Sequence, residues 1–587
     1  MTDLANMFAK VLVANRGEIA MRIMRACHEI GVTSVAVYGE GELTAPHVRY
    51  AGEAFRIPSE RALPYLDISA LIDVAKRAGA EAIHPGYGFL AENPEFSSAC
   101  TEAGLVFIGP SPSSIAAMGD KVAARKVALS AGAPLVPGSD GPVDVSGAKA
   151  FGEQHGFPIA IKAAAGGGGR GFRVAWSASE VVDAHRGASG EAERYFSDGR
   201  VYVERYLDHP RHIEIQIFAD RHGNCVAIGE RDCSVQRRHQ KLIEESPSPA
   251  IDQPIRDQMQ ETAIKLAREV DYLGAGTVEF LFQDGEFYFL EMNTRIQVEH
   301  PVTELISGLD LVAEQIRLAA GAPLSFGPNI DFRGHAIECR INAEDPARGF
   351  APAPGTVTEY QPPVGMGVRV DSAAVPGYTI LPQYDSLVAK LITWGRDRDE
   401  SLRRMRRALN DFEVGGVPTT IPFHLGVLNH PAFATGDYDT RLLDRHPELL
   451  NVVDSPSTPS EATGSPNGLT TERFVVEVSG KRFDVVLHGE STESARRAPR
   501  LSGNRSGGAA AAGRGSIVCP IQGTVLRVAV QNGAQVKSGE LICVVEAMKM
   551  ENEITAPQDG VVSHLNVAEG QTVKTGAVLA VIDPVSE

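Results

Sequence analysis

Apolar and polar positions alternate with a changing period along the chain. Val11-Leu12-Val13-Ala14 is an apolar run; Asn15-Arg16-Gly17-Glu18 follows, and then Ile19, Ile23, Met24 and Cys27 recur at helical spacing. Val35-Ala36-Val37-Tyr38 is the next apolar run. Strand, turn, helix and strand predict a βαβ unit and a doubly wound domain. No G-x-G-x-x-G stands in that turn, so a dinucleotide site is not supported. His84-Pro85-Gly86-Tyr87-Gly88-Phe89-Leu90-Ala91-Glu92 is dense in turn formers and predicts a shaped loop. On their own, Arg16 and this loop are structural.

Further on, Val278-Glu279-Phe280-Leu281-Phe282 and Glu286-Phe287-Tyr288-Phe289-Leu290-Glu291 flank Asp284-Gly285, which predicts a β-hairpin. The hairpin brings Glu279 within about one residue of Glu291, though sequence leaves the register open. Glu291, Asn293, Arg295 and Gln297 then alternate as one face of a strand. Phe474, Val476 and Val478, a Ser479-Gly480 turn, and Phe483, Val485 and Leu487 predict a second, isolated hairpin. A lone hairpin is marginal in water, so it is expected to dock on a neighbouring domain or partner.

The C-terminal stretch repeats itself. Pro520-Ile521-Gln522-Gly523 recurs as Pro557-Gln558-Asp559-Gly560, and Leu541-Ile542-Cys543-Val544-Val545 as Val578-Leu579-Ala580-Val581-Ile582, both at an offset of 37 residues. Two like halves of short strands predict a flattened, pseudo-symmetric β-sandwich. Lys549 lies near the centre of the repeat, at the one turn the halves do not share. Most lysines are solvated surface groups. Met548 and Met550 beside this one weigh against that reading, because methionine is normally packed in a core.

Chemistry narrows the picture. Lys162-Ala163-Ala164-Ala165-Gly166-Gly167-Gly168-Gly169-Arg170-Gly171 follows the strand Ile159-Ala160-Ile161. Four glycines are a poor structural choice unless backbone must approach a ligand or move, and their N–H groups beside two cations suit phosphate oxygens. The alternative is a flexible linker. The pattern is not a Walker A loop. Glu230 to Lys241 is a local cationic cluster, open to reading as a solvated charge run, an RNA contact or an anionic small-molecule pocket. Two carboxylates and an amide in an otherwise apolar hairpin are costly without a cation, and they offer the hard oxygen ligands that Mg²⁺ prefers; a salt-bridged hairpin is the alternative.

At 587 residues the chain is long enough for about four domains. A net charge of −18 argues against bulk nucleic-acid binding. No run of about 18 apolar residues predicts a membrane span, and residues 1–9 carry no secretory pattern. Seven scattered cysteines without Cys-x-x-Cys spacing fit reduced thiols in a cytoplasmic protein.

From residue 8 to about 445 the chain resembles biotin carboxylase, an ATP-grasp enzyme. The motifs are Asn15-Arg16-Gly17-Glu18-Ile19-Ala20, His84 to Gly88, Gly119-Asp120-Lys121, the glycine loop, Arg231-Asp232-Cys233-Ser234, Glu291 to His300, and Gly334 to Glu344. Ala547-Met548-Lys549-Met550 resembles the biotin-accepting tetrapeptide of biotinyl carriers; lipoyl carriers usually have Asp-Lys-Ala there. Two departures stand out: Tyr38-Gly39-Glu40-Gly41-Glu42 where the family has Tyr-Ser-x-x-Asp, and Gly171-Phe172-Arg173 where it often has Gly-Met-Arg.

The resemblance implies an α/β fold followed by a small all-β biotinyl sandwich. The segments are a doubly wound domain (1–118), an ATP-grasp domain with a glycine-rich lid (119–330), a mixed C-terminal domain (331–446), a linker with the hairpin (447–515) and the carrier (516–584). It implies that Lys121, Lys162, Gly168, Gly169, Glu204, Leu207, His212, Gln236 and His239 hold ATP, and that Glu279, Glu291 and Asn293 hold Mg²⁺ or Mn²⁺. Arg295 and the Val298 backbone then bind bicarbonate, and Lys241 holds phosphate oxygens. Glu299 is the general base on bicarbonate, and Arg340 stabilises the ureido oxygen of biotin carried on Lys549. The implied activity is that of an acyl-CoA carboxylase α chain, or else of the biotin-carboxylating subunit of a split pyruvate carboxylase. No carboxyltransferase segment is read in the sequence, so a separate β subunit is an expected partner, with biotin protein ligase and a homo-oligomer. About 25 residues of linker composition before the carrier give a mean span of roughly 28 Å as flexible coil.

Overall fold

The structure is a computed structural model. It describes residues 7–163, 171–196, 198–238, 240–450, 469–478, 481–490, 516–519, 523–547, 550–569, 571–573 and 577–583. The chain divides into two compact units, Met1–Val453 and Asp454–Glu587.

The first unit opens on a five-stranded parallel sheet in the order Glu53–Arg56, Thr33–Tyr38, Lys10–Val13, Ala82–His84, Val106–Phe107. Its central strand explains the apolar run. Val11 and Val13 enter one core with Ile19 and Ile23 of helix Gly17–Glu29, while Leu12 enters the other with Val35, Val37 and Leu71. A parallel strand covered on both faces is apolar at every position. The unusual Glu42 has a structural role here. It is buried and accepts from Arg16 Nε at 2.5 Å, Gly39 N–H at 2.9 Å and the Tyr65 hydroxyl at 2.9 Å.

An eight-stranded antiparallel sheet carries the rest of the unit. Its order is Glu286–Asn293, Gly274–Gln283, Arg211–Ala219, Cys225–Arg237, Gln240–Ser246, His335–Asn342, Leu387–Gly395, Val368–Ser372. Along Arg211–Ala219 the two faces separate by period two. Ile213, Ile215 and Ile217 pack with Val278, Phe280 and Met259 of helix Gln253–Glu269. His212, Glu214 and Gln216 point the other way and are also buried. The expected hairpin is present: Asp284 and Gly285 both have positive φ, 54° and 82°, in a two-residue turn. A separate three-stranded sheet, Phe172–Ala175, Ile159–Ala163, Val201–Arg205, frames the glycine loop, whose residues 164–170 lie outside the described ones.

In the second unit, Leu469–Val478 and Lys481–Glu490 pair antiparallel with Val478 opposite Lys481, as the alternation predicts; Ser479 and Gly480 lie outside the described residues. The carrier is two four-stranded sheets, Ser516–Val518, Val578–Asp583, Gly560–Leu565, Gln535–Val536 and Met550–Thr555, Leu541–Ala547, Gly523–Val528, Thr572–Val573. The starts of three strands in one sheet differ by 37 from those of their counterparts in the other: 541 and 578, 523 and 560, 535 and 572. Ile542, Val545, Leu579 and Ile582 fill the shared core. Ala547 pairs with Met550, and Lys549 between them lies outside the described residues. Among the described residues no helix is long and apolar enough to cross a membrane.

Glu245, on the inner strand Gln240–Ser246, ties the large sheet to the segments that follow it. It is buried and accepts from Arg398 Nε at 2.7 Å and Nη2 at 2.9 Å, from the Tyr438 hydroxyl, and pairs with His335 Nε2 at 2.6 Å. Burial opposes ionisation, but the bond to His335 and the Arg398 charge hold its pKa at about 2. A carboxylate with a depressed folded pKa stabilises above its unfolded pKa near 4.5 and loses that contribution as pH falls toward 2. The loss is on the order of 3 kcal/mol. Urea unfolding at pH 5 and pH 3 should therefore show a larger stability drop in the wild type than in Glu245→Gln, which keeps only the part due to other depressed carboxylates such as Glu304; equal drops in both would refute this assignment.

Candidate active site

The polar face of the large sheet holds a row of charges in register. Glu291 stands opposite Glu279, Glu279 opposite Glu214, and Glu214 opposite Arg231 across four adjacent strands. The open question of hairpin register is thus resolved with the two acids directly paired. Arg231 is fully buried, and its guanidinium donates to Glu214, Gln216 (2.8 Å), Thr303 (3.0 Å), Thr277 (3.2 Å) and Gln297 (2.6 Å). Glu230 and Asp232 beside it are buried too. This excludes a solvated charge run or an RNA contact for that part of the cluster.

Lys241 closes the row. Its ammonium donates to Glu214 at 2.5 Å, Glu279 at 2.9 Å and Glu299 at 2.7 Å. Burial would lower its pKa, but these three carboxylates hold it well above the ordinary lysine range. The effect is mutual. Burial pushes Glu299 and Glu279 up; Lys241, with Arg340 and Arg231 at Glu299 and with His212 at Glu279, holds both well below the usual carboxylate range. Cys233 lies in the same cluster, and burial, with Glu214 beside it, pushes its thiol well up.

The stretch after the hairpin departs from expectation. The strand ends at Asn293, so Arg295 and Gln297 do not continue its face. Long-range bonds pull the chain off the sheet instead. Glu92, from the turn-rich loop of the parallel domain, accepts from Thr294 N–H at 3.1 Å and Arg295 Nε at 2.9 Å. Arg295 Nη2 donates to Asn293 Oδ1 at 2.8 Å. Gln297 Nε2 donates to Glu279 at 2.7 Å, and the Val298 carbonyl accepts from the buried Lys390 at 2.8 Å. Glu299 then starts helix His300–Ser307, but its side chain caps no helical N–H. Its two oxygens face Lys241 and Arg340, the latter at 2.9 Å through Nη2. Asn15 shapes the other side by donating to the carbonyls of Pro85 and Tyr87 at 2.7 and 2.8 Å.

The structure therefore brings together Glu279, Asn293, Arg295, Val298, Glu299, Lys241, Arg340, His212 and Gln236, the last two joined at 2.9 Å. Lys162 and Glu204 pair with each other at 2.5 Å on the smaller sheet, beside the buried Leu207. Lys121 begins helix Lys121–Ser130 behind its cap Asp120; its side chain, like Gly168, Gly169 and His239, lies outside the described residues. Sequence reasoning missed Glu214, Glu92, Gln297 as a ligand of Arg231, and Lys390. Glu214 had a signal: His212, Glu214 and Gln216 alternate with isoleucines, and a polar strand face needs partners if it is buried.

The donor set suits a hard divalent ion. Glu279 and Glu291 are opposed on one ladder with Asn293 two residues on, and Glu279 Oε1 already attracts an ammonium and two amide groups. As it stands, the carboxylates Glu214, Glu279 and Glu299 are paired with the protein's own cations.

Comparison with known proteins identifies the family. Family models match in sequence: biotin carboxylase, N-terminal domain, at residues 7–115; carbamoyl-phosphate synthase L chain, ATP-binding domain, at 120–326; biotin carboxylase C-terminal domain at 338–445; and biotin-requiring enzyme at 515–582. The biotin-dependent acyl-coenzyme A carboxylase alpha3 subunit of Mycobacterium leprae is 47% identical over 568 residues, 93% of this chain and 94% of that one. The chain belongs to the biotin carboxylase family.

A pyruvate carboxylase subunit from Methanothermobacter thermautotrophicus is 52% identical over 446 residues, 75% of this chain and 90% of its own. A crystal structure of the biotin carboxylase domain dimer of Hydrogenobacter thermophilus 2-oxoglutarate carboxylase, with MgADP, ADP and bicarbonate, superposes with a TM-score of 0.70. It is 48% identical and covers 76% of this chain and 100% of that domain. As a biotin carboxylase with a biotinyl domain, the chain carries out ATP-dependent carboxylation of biotin. Its cofactors are ATP, a divalent metal and covalent biotin.

Glu214 is the keystone of the charge row, since Arg231 and Lys241 both lean on it. Glu214→Ala should lower the unfolding free energy of the large unit by about 3 kcal/mol, because it removes the carboxylate that two buried cations share and leaves their charge under-compensated. Urea denaturation measures this; a loss below about 1 kcal/mol would mean the network redistributes its charges.

Proposed function

We propose that this biotin carboxylase is the α subunit of an acyl-CoA carboxylase, loading bicarbonate-derived carboxylate onto biotin held by its own Lys549. The observation that carries the acceptor is the match to the Mycobacterium leprae α3 subunit, which extends through the biotinyl segment over 93% of the chain. The high identity to the pyruvate carboxylase subunit from Methanothermobacter thermautotrophicus supports the second reading, a split pyruvate carboxylase. Both readings require a separate carboxyltransferase subunit, and a biotin protein ligase to modify Lys549. We place the chain in the cytoplasm and divide it at residues 118, 330, 446 and 515. The dimeric biotin carboxylase domain of Hydrogenobacter thermophilus 2-oxoglutarate carboxylase supports a homo-oligomer.

The roles proposed for the residues follow from what they hold. Lys162, Glu204, Leu207, His212, Gln236, His239, Lys121 and the Gly168-Gly169 backbone bind ATP. Glu279, Glu291 and Asn293 would hold Mg²⁺ or Mn²⁺, which when bound neutralises phosphate charge. Lys241 moves its ammonium from the carboxylates to phosphate oxygens as the nucleotide arrives. That frees one oxygen of Glu299 to accept the bicarbonate proton, while Arg295 and the Val298 backbone fix the anion. Arg340 keeps its charge at every relevant pH and donates in a fixed fork, which suits the developing oxyanion of the ureido group.

Glu299→Gln and Arg340→Ala should each retain ATP binding but lose bicarbonate-dependent ATP turnover by at least about a hundredfold. Near wild-type turnover in either variant removes that residue from the reaction. The acceptor is settled by incubating the biotinylated chain with candidate β subunits and labelled bicarbonate. Label entering acyl-CoA with a crotonase-like partner supports the first reading. Label entering pyruvate with a TIM-barrel partner overturns it.

A further inference from the structure

The charge network continues behind Arg340 into two carboxyls that the proposed reaction does not use. Glu244 and Glu338 stand directly opposite each other on strands Gln240–Ser246 and His335–Asn342, and both are fully buried. Opposed residues of an antiparallel pair share a face with Cβ atoms about 5 Å apart. Glu244 Oε1 accepts from Arg340 Nε at 2.6 Å. Among the described residues, Glu244 Oε2 and both oxygens of Glu338 have no hydrogen-bond partner. Two adjacent ionised carboxylates with three orphaned oxygens would be costly in a dry interior, because each forfeits hydration and each repels the other. A single proton removes one charge and satisfies two of the oxygens, if the Glu338 hydroxyl donates to Glu244 Oε2.

We propose that Glu244 and Glu338 form a one-proton carboxyl pair that positions Arg340 for biotin carboxylation, with Glu338 as the neutral acid that holds Glu244 against the guanidinium. This rests on the role proposed for Arg340 and adds the groups that set its place. The charged neighbours are consistent with it. Arg340 faces the pair from the same strand as Glu338. Lys390, opposite Arg340 on Leu387–Gly395, directs its ammonium to the Val298 carbonyl at 2.8 Å, Glu18 at 3.3 Å and Asp371 at 3.9 Å. Glu299 approaches from the loop, and helix His300–Ser307, with His300 and Glu304, packs across the strand. Burial pushes Glu338 well above the carboxylate range against the pull of Lys390, and Glu244 adds to the rise; burial likewise lifts Glu244 to about 7 against Arg340.

The consequence is a directional pH effect. When the shared proton leaves at high pH, a second negative charge appears behind Arg340. It draws the guanidinium away from Glu299 Oε2 and from the ureido oxygen. Glu338→Gln places a neutral amide that still donates to Glu244 and cannot ionise.

The test uses the full chain with ATP, Mg²⁺, bicarbonate and free biotin as acceptor. The wild-type kcat/KM for biotin should fall on the alkaline side, and in Glu338→Gln that fall should move up by at least about one pH unit. Glu244→Gln should raise the KM for biotin about tenfold while changing the KM for ATP much less, and Glu244→Asp should recover part of the loss. Superimposable alkaline limbs in wild type and Glu338→Gln overturn the proposal. So does equal damage to both KM values in Glu244→Gln. Should the buried variants fail to fold, infrared titration of the wild type decides. A carboxylic-acid carbonyl band persisting above the ordinary carboxylate range is expected, and its absence overturns the pair. Arg340→Ala separates the two ideas. Retained turnover there defeats the role of Arg340 itself; lost turnover without the infrared band defeats only the carboxyl pair.

Discussion

One ammonium shared by three buried carboxylates organises the catalytic half of this protein. Lys241 can satisfy Glu214, Glu279 and Glu299 together only because three different pieces of chain deliver those acids to one face of one sheet. Desolvating so many charges is unfavourable, and breaking any one contact leaves its partner exposed to that cost. The sheet therefore carries isoleucines on one side and His212, Glu214 and Gln216 on the other, with Arg231 directing its donors to five buried side chains.

The same constraint couples the segments of the large unit. Strand His335–Asn342, which carries Arg340, hydrogen-bonds directly to Gln240–Ser246, which carries Lys241. The parallel domain reaches in through Glu92, and Leu387–Gly395 through Lys390. The loop from Thr294 to Glu299 is thus fixed by partners far away in sequence rather than by its own conformational preference. Such placement suits groups that must meet a small anion and a proton in one geometry.

Legibility in the sequence followed the range of the interactions. The βαβ start, the Asp284-Gly285 hairpin and the 37-residue repeat rest on local period and turn chemistry, and all three were readable. The paired acids Glu279 and Glu291 were readable as a pair, though not in register. Asn293, Arg295 and Gln297 mimic a strand face by spacing alone. What breaks the strand is Glu92, about two hundred residues earlier, and no local pattern announces it. Glu214 was hidden for a different reason: alternation with isoleucine suggests a half-exposed strand, and only the second covered face makes its charge costly.

The ion pairs of Glu299 and Arg340 admit two interpretations, structural and catalytic. Lys241, Arg231 and Arg340 match Glu214, Glu279 and Glu299 charge for charge, as a structural cluster requires. What the structural reading does not use is the exposed edge of the row, where Glu291 stands opposite Glu279, itself the acceptor of donors from Lys241, His212, Asn293 and Gln297. Those oxygens are the ones a divalent ion would claim, and under the proposed mechanism the lysine would then be free to turn toward phosphate. Substrate binding on this face would exchange one set of counter-ions for another, so the interior would need no new charge when the nucleotide enters. Under the proposed exchange Glu299 would gain basicity, because Lys241 is the first of the cations that hold its pKa down. In that reading the cations that pair the buried carboxylates are also the ones that would make the base available once substrate replaces them.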